Sequence, residues 1–133
     1  MKPEFKTLRK IKLGNAFSCR ENHSLFDVGA EILDSGFTGI PVVDRENRVI
    51  GIVSELDILR GLRGPLRLEE IKVKEVMARS PMVIEKETTL EEASKIMEDV
   101  HIHRLPVVSE GRLIGTLTRH DLIRAWAGMS AGL

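Results

Sequence analysis

The sequence predicts an α+β fold: two β-α-β-β-α repeats packed face to face about a pseudo-two-fold axis. Three observations carry this. The stretch Gly51-Ile-Val-Ser54-Glu-Leu-Asp57-Ile-Leu-Arg60 returns as Gly115-Thr-Leu-Thr118-Arg-His-Asp121-Leu-Ile-Arg124, with glycine, hydroxyl, acid and arginine at matching places. Each copy follows a Pro-Val-Val run, Pro41-Val42-Val43 and Pro106-Val107-Val108, and the spacings 106 − 41 = 65 and 115 − 51 = 64 differ by one residue. Finally, a sheet of about three short strands cannot bury its apolar face alone, whereas two copies packed together can.

The elements follow in order. Residues 1–13 form an N-terminal arm carrying Lys2, Lys6, Arg9, Lys10 and Lys12. Without an aromatic platform to stack bases, these charges read as a solvated lead-in. The first repeat spans residues 14–63. A short strand around Phe17-Ser18-Cys19 precedes a helix with Leu25, Val28, Ile32 and Leu33 on one face, Ser24 as N-cap and Gly36 as its left-handed end. Gly29 inside this helix predicts a close backbone approach. Gly39-Ile-Pro-Val-Val-Asp44 is a strand whose proline belongs near its start or at an edge. A polar turn at Arg45-Glu-Asn-Arg48 leads to the return strand Val49–Val53, then a helix from Glu55 with Ser54 as cap.

Residues 64–75 read as a linker, residues 76–127 as the second repeat and residues 128–133 as a frayed tail. The second repeat has a strand at Met82-Val-Ile84 and a helix capped by Thr89 with Glu92 three residues on, a capping box. The strand Arg104–Val108 turns tightly at Ser109-Glu-Gly111-Arg112, where Gly111 supplies positive φ. Strand Leu113–Leu117 and a helix from about Arg119 to Trp126 complete it. Within each repeat the first two strands, joined through a helix, should run parallel, and the hairpin adds an antiparallel neighbour.

Composition narrows the function. The 133 residues are 42% hydrophobic and 30% charged, enough for a globular core. Zero formal net charge gives no electrostatic reason to expect nucleic acid or an acidic membrane. Cys19 is the only cysteine, so no intrachain disulfide forms. No apolar run approaches the roughly 20 residues of a membrane span, and no signal-peptide segment opens the chain. The expectation is a soluble cytoplasmic protein with no membrane association.

Chemistry concentrates in the repeated motif. Ser54 and Thr118 stand at strand-to-helix corners, beside helix N-terminal amides that favour an anion. Asp57 and Asp121 follow within the first helical turn, and a carboxylate accepts two hydrogen bonds from the vicinal hydroxyls of a ribose. Hydroxyl, acid and helix start together suit a nucleoside phosphate. An N-cap with a first-turn acid explains the same residues, and spacing alone leaves both readings open. Arg60 and Arg124 lie one turn after each acid, within reach of a phosphate or of a salt bridge to the acid, the salt bridge being the favoured reading.

These residues resemble the CBS domain in its tandem form, the Bateman module. The matching segments are Gly39–Asp44 with Val49–Asp57, and His103–Val108 with Leu113–Asp121; Val76-Met77-Ala-Arg-Ser-Pro81-Met-Val83 looks like the opening of a repeat. The resemblance covers roughly residues 14–127. It implies binding of AMP, ADP or ATP, with S-adenosylmethionine or a dinucleotide as further ligands, in clefts between the paired domains. It implies that Asp57 and Asp121 hold ribose and that Ser54 and Thr118 hold ribose or phosphate oxygens. Adenine would then lie against backbone and side chains near Ile40-Pro41-Val42 and Leu105-Pro106-Val107. His103-Arg104 is similar to a phosphate-contacting pair in a kinase-regulating member of the family, and Thr38-Gly39 stands at its place in the first half. The resemblance further implies a stand-alone sensor of cellular energy, a homodimer of modules signalling to an unidentified protein target by conformational change. It implies no enzyme activity and no cofactor beyond the nucleotide ligand.

Other constellations carry less. His101, His103 and His120 with Cys19 lack zinc-type spacing, so no metal is expected. Ser54, His120 and Asp57 lack a nucleophile elbow for a triad. Trp126 and Met129 read as core packing with an oligomer contact as the alternative. Leu56, Ile58, Leu59, Leu62, Leu122, Ile123 and Trp126 leave the last helices apolar over a wide arc, which suggests contact with a second chain. Two alternatives to the nucleotide sensor remain: an interaction or assembly module with vestigial sites, and a nucleic-acid-associated regulator using the basic arm.

Overall fold

The computed structural model describes residues 2–100 and 103–128; His101 and Met129 lie outside them. The chain divides into two compact units, Phe17–Pro81 and Met1–Ala16 with Met82–Leu133. The first holds β1 (Cys19–Arg20), α1 (Leu25–Ser35), β2 (Gly39–Val43), β3 (Val49–Ser54) and α2 (Glu55–Arg63). The second holds β4 (Ile84–Glu85), α3 (Leu90–Val100), β5 (Arg104–Ser109), β6 (Arg112–Thr118) and α4 (Arg119–Ala127). Each unit is one three-stranded sheet, ordered β1-β2-β3 or β4-β5-β6, with a short parallel strand and an antiparallel hairpin. The α+β class and the repeated order of elements are those the sequence predicts.

The local signals act as their chemistry requires. Ser24 Oγ accepts from Asp27 N at 3.2 Å to start α1, and Gly36 ends it with φ +76°. Glu92 N donates to Thr89 Oγ1 at 3.2 Å, and the Thr89 hydroxyl donates to Glu92 Oε1 at 2.9 Å. The β5–β6 hairpin closes on two residues, Glu110 (φ +53°) and Gly111 (φ +80°), so both turn positions are left-handed. The longer first hairpin is organised by Asp44, whose Oδ1 accepts from Glu46 N and Arg48 N, each at 2.9 Å. The Arg48 amide, foremost, holds this carboxyl below its ordinary range.

Pro41 and Pro106 sit in the central strands β2 and β5 rather than at a sheet edge. They are tolerated because the neighbouring short strand pairs only with the residues after them: Cys19 faces Val42, and Ile84 faces Val107. Each proline lacks a partner on that side and so forgoes no ladder bond there.

The two cores correspond. Leu25, Val28 and Ile32 of α1 meet Ile40, Val42 and Val53; Leu90, Ala93 and Met97 of α3 meet Leu105, Val107 and Leu117. Trp126 packs partly buried against the second core, as the packing reading expects.

The segments before each repeat depart from expectation. Residues 2–13 keep Lys2, Lys6, Arg9, Lys10 and Lys12 in solvent, as expected, but are more than a lead-in. Leu8 is fully buried in the core of the second-repeat unit, Leu8 N donates to Thr88 O at 2.9 Å, and Leu90 N donates to Lys6 O at 2.9 Å. Residues 64–75 likewise carry Val73, fully buried in the first core, while Leu25 N donates to Ile71 O at 2.9 Å.

Both segments end by pairing with the last strand of a unit. Ile52 and Ala78 exchange two main-chain hydrogen bonds of 2.9 Å, and Gly14 and Thr116 exchange two of 2.9 and 3.1 Å. The motif glycines exist for this contact. A Cβ on Gly51 would lie 2.7 Å from Met77 Sδ and 2.9 Å from Ala78 O; one on Gly115 would lie 2.8 Å from Leu13 Cβ and 3.2 Å from Gly14 O. Gly29 behaves otherwise: a Cβ there meets only Ile58 methyl groups at 3.8 and 3.9 Å, so no backbone approaches it.

Substitution to alanine therefore has opposite signs at these glycines. Gly51→Ala and Gly115→Ala should each destabilise by about 1–3 kcal/mol through overpacking, while Gly29→Ala should stabilise by about 0.5–1 kcal/mol through helix propensity. Urea denaturation followed by circular dichroism reads both. Equal effects at all three would show that the lead-in contact does not constrain Gly51 and Gly115.

Candidate functional site

Strand β3 runs into α2 through Ser54, and β6 runs into α4 through Thr118. The two caps share one extended conformation, φ −119°, ψ 169° and φ −113°, ψ 165°. From that corner the third helical residue, Asp57 or Asp121, folds back over the helix start. Asp57 Oδ2 accepts from Ser54 N at 2.8 Å and from Ser54 Oγ at 3.2 Å. Asp121 Oδ2 accepts from Thr118 N at 2.8 Å, and Asp121 N donates to Thr118 Oγ1 at 3.1 Å. Each acid's other oxygen takes an arginine: Arg60 Nη1 on Asp57 Oδ1 at 3.2 Å, Arg124 Nη2 on Asp121 Oδ1 at 2.6 Å. The expected salt bridges are thus present.

Each acid therefore serves as a helix cap and an ion-pair partner. That does not exhaust it. A carboxylate offers about four acceptor positions; Asp57 accepts three hydrogen bonds and Asp121 two among the described residues. The side chains of Asp57 and Asp121 are 13% and 9% exposed, whereas Arg60 and Arg124 are 65% and 41% exposed. The arginines lie largely in solvent, while the acids are anchored by their hydrogen bonds to the cap residues.

Strand register assigns the surroundings. Arg104 pairs directly opposite Thr118, and Arg119 N donates to His103 O at 3.3 Å. In the first repeat Gly39 pairs opposite Ser54, and Glu55 N donates to Thr38 O at 3.0 Å. His103-Arg104 and Thr38-Gly39 are equivalent positions, so only the second corner carries this basic pair. His103 is exposed and Arg104 half-buried.

The strand residues ahead of each motif divide by face. Ile40, Val42, Leu105 and Val107 are fully buried in the cores of their own units. Pro41 and Pro106, on the opposite strand face, are buried as well.

Beside Asp57 and Arg60 lies a cavity of about 360 Å³, lined also by Gly61, Gly64, Pro65, Leu66, Ile71 and Val76. Residues 64–76 reach the site although sequence reasoning assigned most of them to a linker. One signal was available: Leu13-Gly14 and Met77-Ala78 hold equivalent places one repeat spacing apart, each before a motif glycine's partner strand.

Among the described residues no group of three or more His, Cys, Asp and Glu could hold a metal. Ser54 Oγ donates to Asp57, so its proton is not shared with an imidazole. Burial pushes the Cys19 thiol up to about 12, which keeps it protonated and unreactive. No helix among the described residues is long and apolar enough to cross a membrane.

The capping role predicts a specific contrast. Asp121→Ala leaves the Thr118 amide without its partner and should cost about 1–2 kcal/mol. Asp121→Asn keeps an acceptor oxygen and should remain within about 1 kcal/mol of the parent. Urea melts of both variants check this; equal losses would remove the cap.

The family model for the CBS domain matches residues 9–64 and 73–128. The uncharacterized protein MJ1426 of Methanocaldococcus jannaschii is 32% identical over 138 residues, with 79% of this chain and 82% of that protein covered. The chloroplastic CBS domain-containing protein CBSX1 of Arabidopsis thaliana is 31% identical over 122 residues. That match covers 71% of this chain and spans about half, 52%, of CBSX1. Among solved structures, CBSX2 in complex with AMP superposes with a TM-score of 0.75 at 28% identity, covering 92% of this chain and 97% of that one. The chain belongs to the CBS domain family, with two CBS domains in tandem.

Proposed function

We propose that this chain is a regulatory module that binds an adenosine nucleotide (AMP, ADP or ATP) at its motif corners and passes occupancy to a partner protein by conformational change. The observation that carries the reading is the paired geometry of hydroxyl, acid and helix start at Ser54/Asp57 and Thr118/Asp121. In a relative of 28% identity, a structure with AMP has been solved. In this reading Asp57 and Asp121 take ribose hydroxyls on their remaining acceptor positions, and Ser54 and Thr118 serve the neighbouring oxygens. His103 and Arg104 serve phosphate. Adenine stacks along the main chain of residues 40–42 and 105–107. The module is a binding protein rather than an enzyme, acting in the cytoplasm as a sensor of adenylate energy state. A ligand shifts such a module only through differential affinity for two states that the partner distinguishes.

Calorimetric titration tests this. AMP, ADP and ATP should give saturable heats with the parent. Asp57→Asn with Asp121→Asn, which retains the caps, should weaken binding about tenfold or more, the loss of a charged hydrogen bond to each ribose. His103→Ala with Arg104→Ala should weaken nucleotide binding while leaving adenosine binding unchanged. Absence of saturable heat with every adenosine ligand, S-adenosylmethionine and dinucleotides included, overturns the reading.

A second reading, an assembly module with vestigial sites, is favoured by one observation: both acids are already engaged by a cap and an arginine. A thermal-shift panel separates the two, since a bound ligand must raise the melting temperature. The nucleic-acid reading gains no support, because the arm it invokes has Leu8 in the core and Arg9 paired with Glu87.

A further inference from the structure

The two motif corners share their cap, acid and arginine but not their charge. The residue after each cap opens the helix: Glu55 after Ser54 on α2, Arg119 after Thr118 on α4. These two are equivalent, since Glu55 N donates to Thr38 O at 3.0 Å and Arg119 N donates to His103 O at 3.3 Å. The next residues are Leu56 and His120, both exposed. With Thr38-Gly39 against His103-Arg104, four equivalent positions turn from acidic or uncharged in the first unit to basic in the second.

The lead-in segments extend the contrast. Ala78 bridges Ile52, and two residues before it Val76 lines the cavity beside Asp57. Gly14 bridges Thr116, and two residues before it stands Lys12, in solvent. Among these positions the first corner sets Arg60 against Glu55 and Asp57. The second sets Arg104, Arg119 and Arg124 against Asp121, with Lys12 and two imidazoles besides.

A helix start attracts anions through its unpaired amides. On α2 the Glu55 carboxylate already sits at that end and repels a second negative group; on α4 Arg119 reinforces the attraction. We infer that the two corners rank adenosine ligands in opposite order. The second binds more tightly with each added phosphate, while the first prefers the least charged ligand, adenosine or AMP over ATP. This rests on the nucleotide-binding reading and adds which charge state each corner selects. The acids do not make the difference: Asp57 and Asp121 each accept the cap amide at 2.8 Å and each pair with an arginine three residues on. A ribose meets the same grip at either corner, and the group beyond it meets opposite fields. The module then responds to the charge carried by its ligands as well as to their total concentration.

NMR titration of the full chain reads the corners separately through their own main-chain amides, Ser54 and Glu55 for the first, Thr118 and Arg119 for the second. Adenosine, AMP, ADP and ATP are the probes, in magnesium-free buffer of low ionic strength. From AMP to ATP the apparent dissociation constant should fall about fivefold or more at the second corner and rise by a similar factor at the first, the effect of a unit charge pair at contact distance in water. Salt at about 0.5 M should shrink both trends. The exchange Glu55→Arg with Arg119→Glu should reverse the two rankings. Neither side chain is buried, so a circular dichroism melt should show a folded variant; if it does not, Glu55→Gln replaces the pair and should flatten the ranking at the first corner alone. The same ranking at both corners, or rankings that ignore the charge exchange, overturn the inference and leave nucleotide binding intact. So does a titration in which one corner's amides never move. Amides that stay still at both corners with all four probes overturn the binding reading itself, and this inference with it.

Discussion

Main chain laid directly on main chain organises each unit. Leu13-Gly14 lies on β6, and Met77-Ala78 lies on β3, each through a reciprocal pair of hydrogen bonds over a strand glycine. A side chain on that glycine would lift the segment away. The segment covers what would otherwise be an open strand edge, where unpaired amides and carbonyls invite aggregation. It also delivers Leu8 to one core and Val73 with Met77 to the other. The strand so covered ends at the cap residue, so the corner where hydroxyl and acid meet is held by a sheet rather than by a loop.

At that corner a single carboxylate is asked for several things. It ends the orphan amide of the cap residue, it balances an arginine, and in the proposed function it grips a sugar. These roles are compatible because they use different lone pairs and because the arginine, not the acid, is the solvent-exposed partner. A ligand arriving there meets an acid already oriented, so little side-chain entropy remains to be lost. In the proposed function a phosphate would meet different surroundings at the two corners, since one carries His103 and Arg104 and the other Thr38 and Gly39.

The sequence made the repeat, the order of elements, the caps at Ser24, Thr89 and Thr118 and the tight turn at Gly111 legible, because these are local: short offsets with a direct backbone cause. It also made legible the acid–arginine pairs, which need only one helical turn. The destinations of residues 1–13 and 64–75 were not, because their apolar residues are sparse and their partners lie far along the chain. Leu8 meets a core more than seventy residues away. Gly29 misled for the opposite reason: a helix glycine signals a close approach only if something approaches, and here only Ile58 methyls do. Pro41 was expected near a strand start or at an edge, because sequence does not reveal that the neighbouring β1 is two residues long and leaves it unpaired on that side. The proposed ribose and phosphate roles came from resemblance, and the geometry adds to them the competing claims on each acid.

The lead-in segments have a consequence for how such a chain is built. The residues before the first repeat complete the second repeat's unit, and the residues before the second complete the first's. A half-length chain holding one repeat with its own lead-in would carry a strap cut for someone else's sheet. Two such half-chains could satisfy each other only by exchange, each lending its strap to its twin. Joining them end to end turns that trade between molecules into a connection within one, which replaces a concentration-dependent assembly by a unimolecular fold.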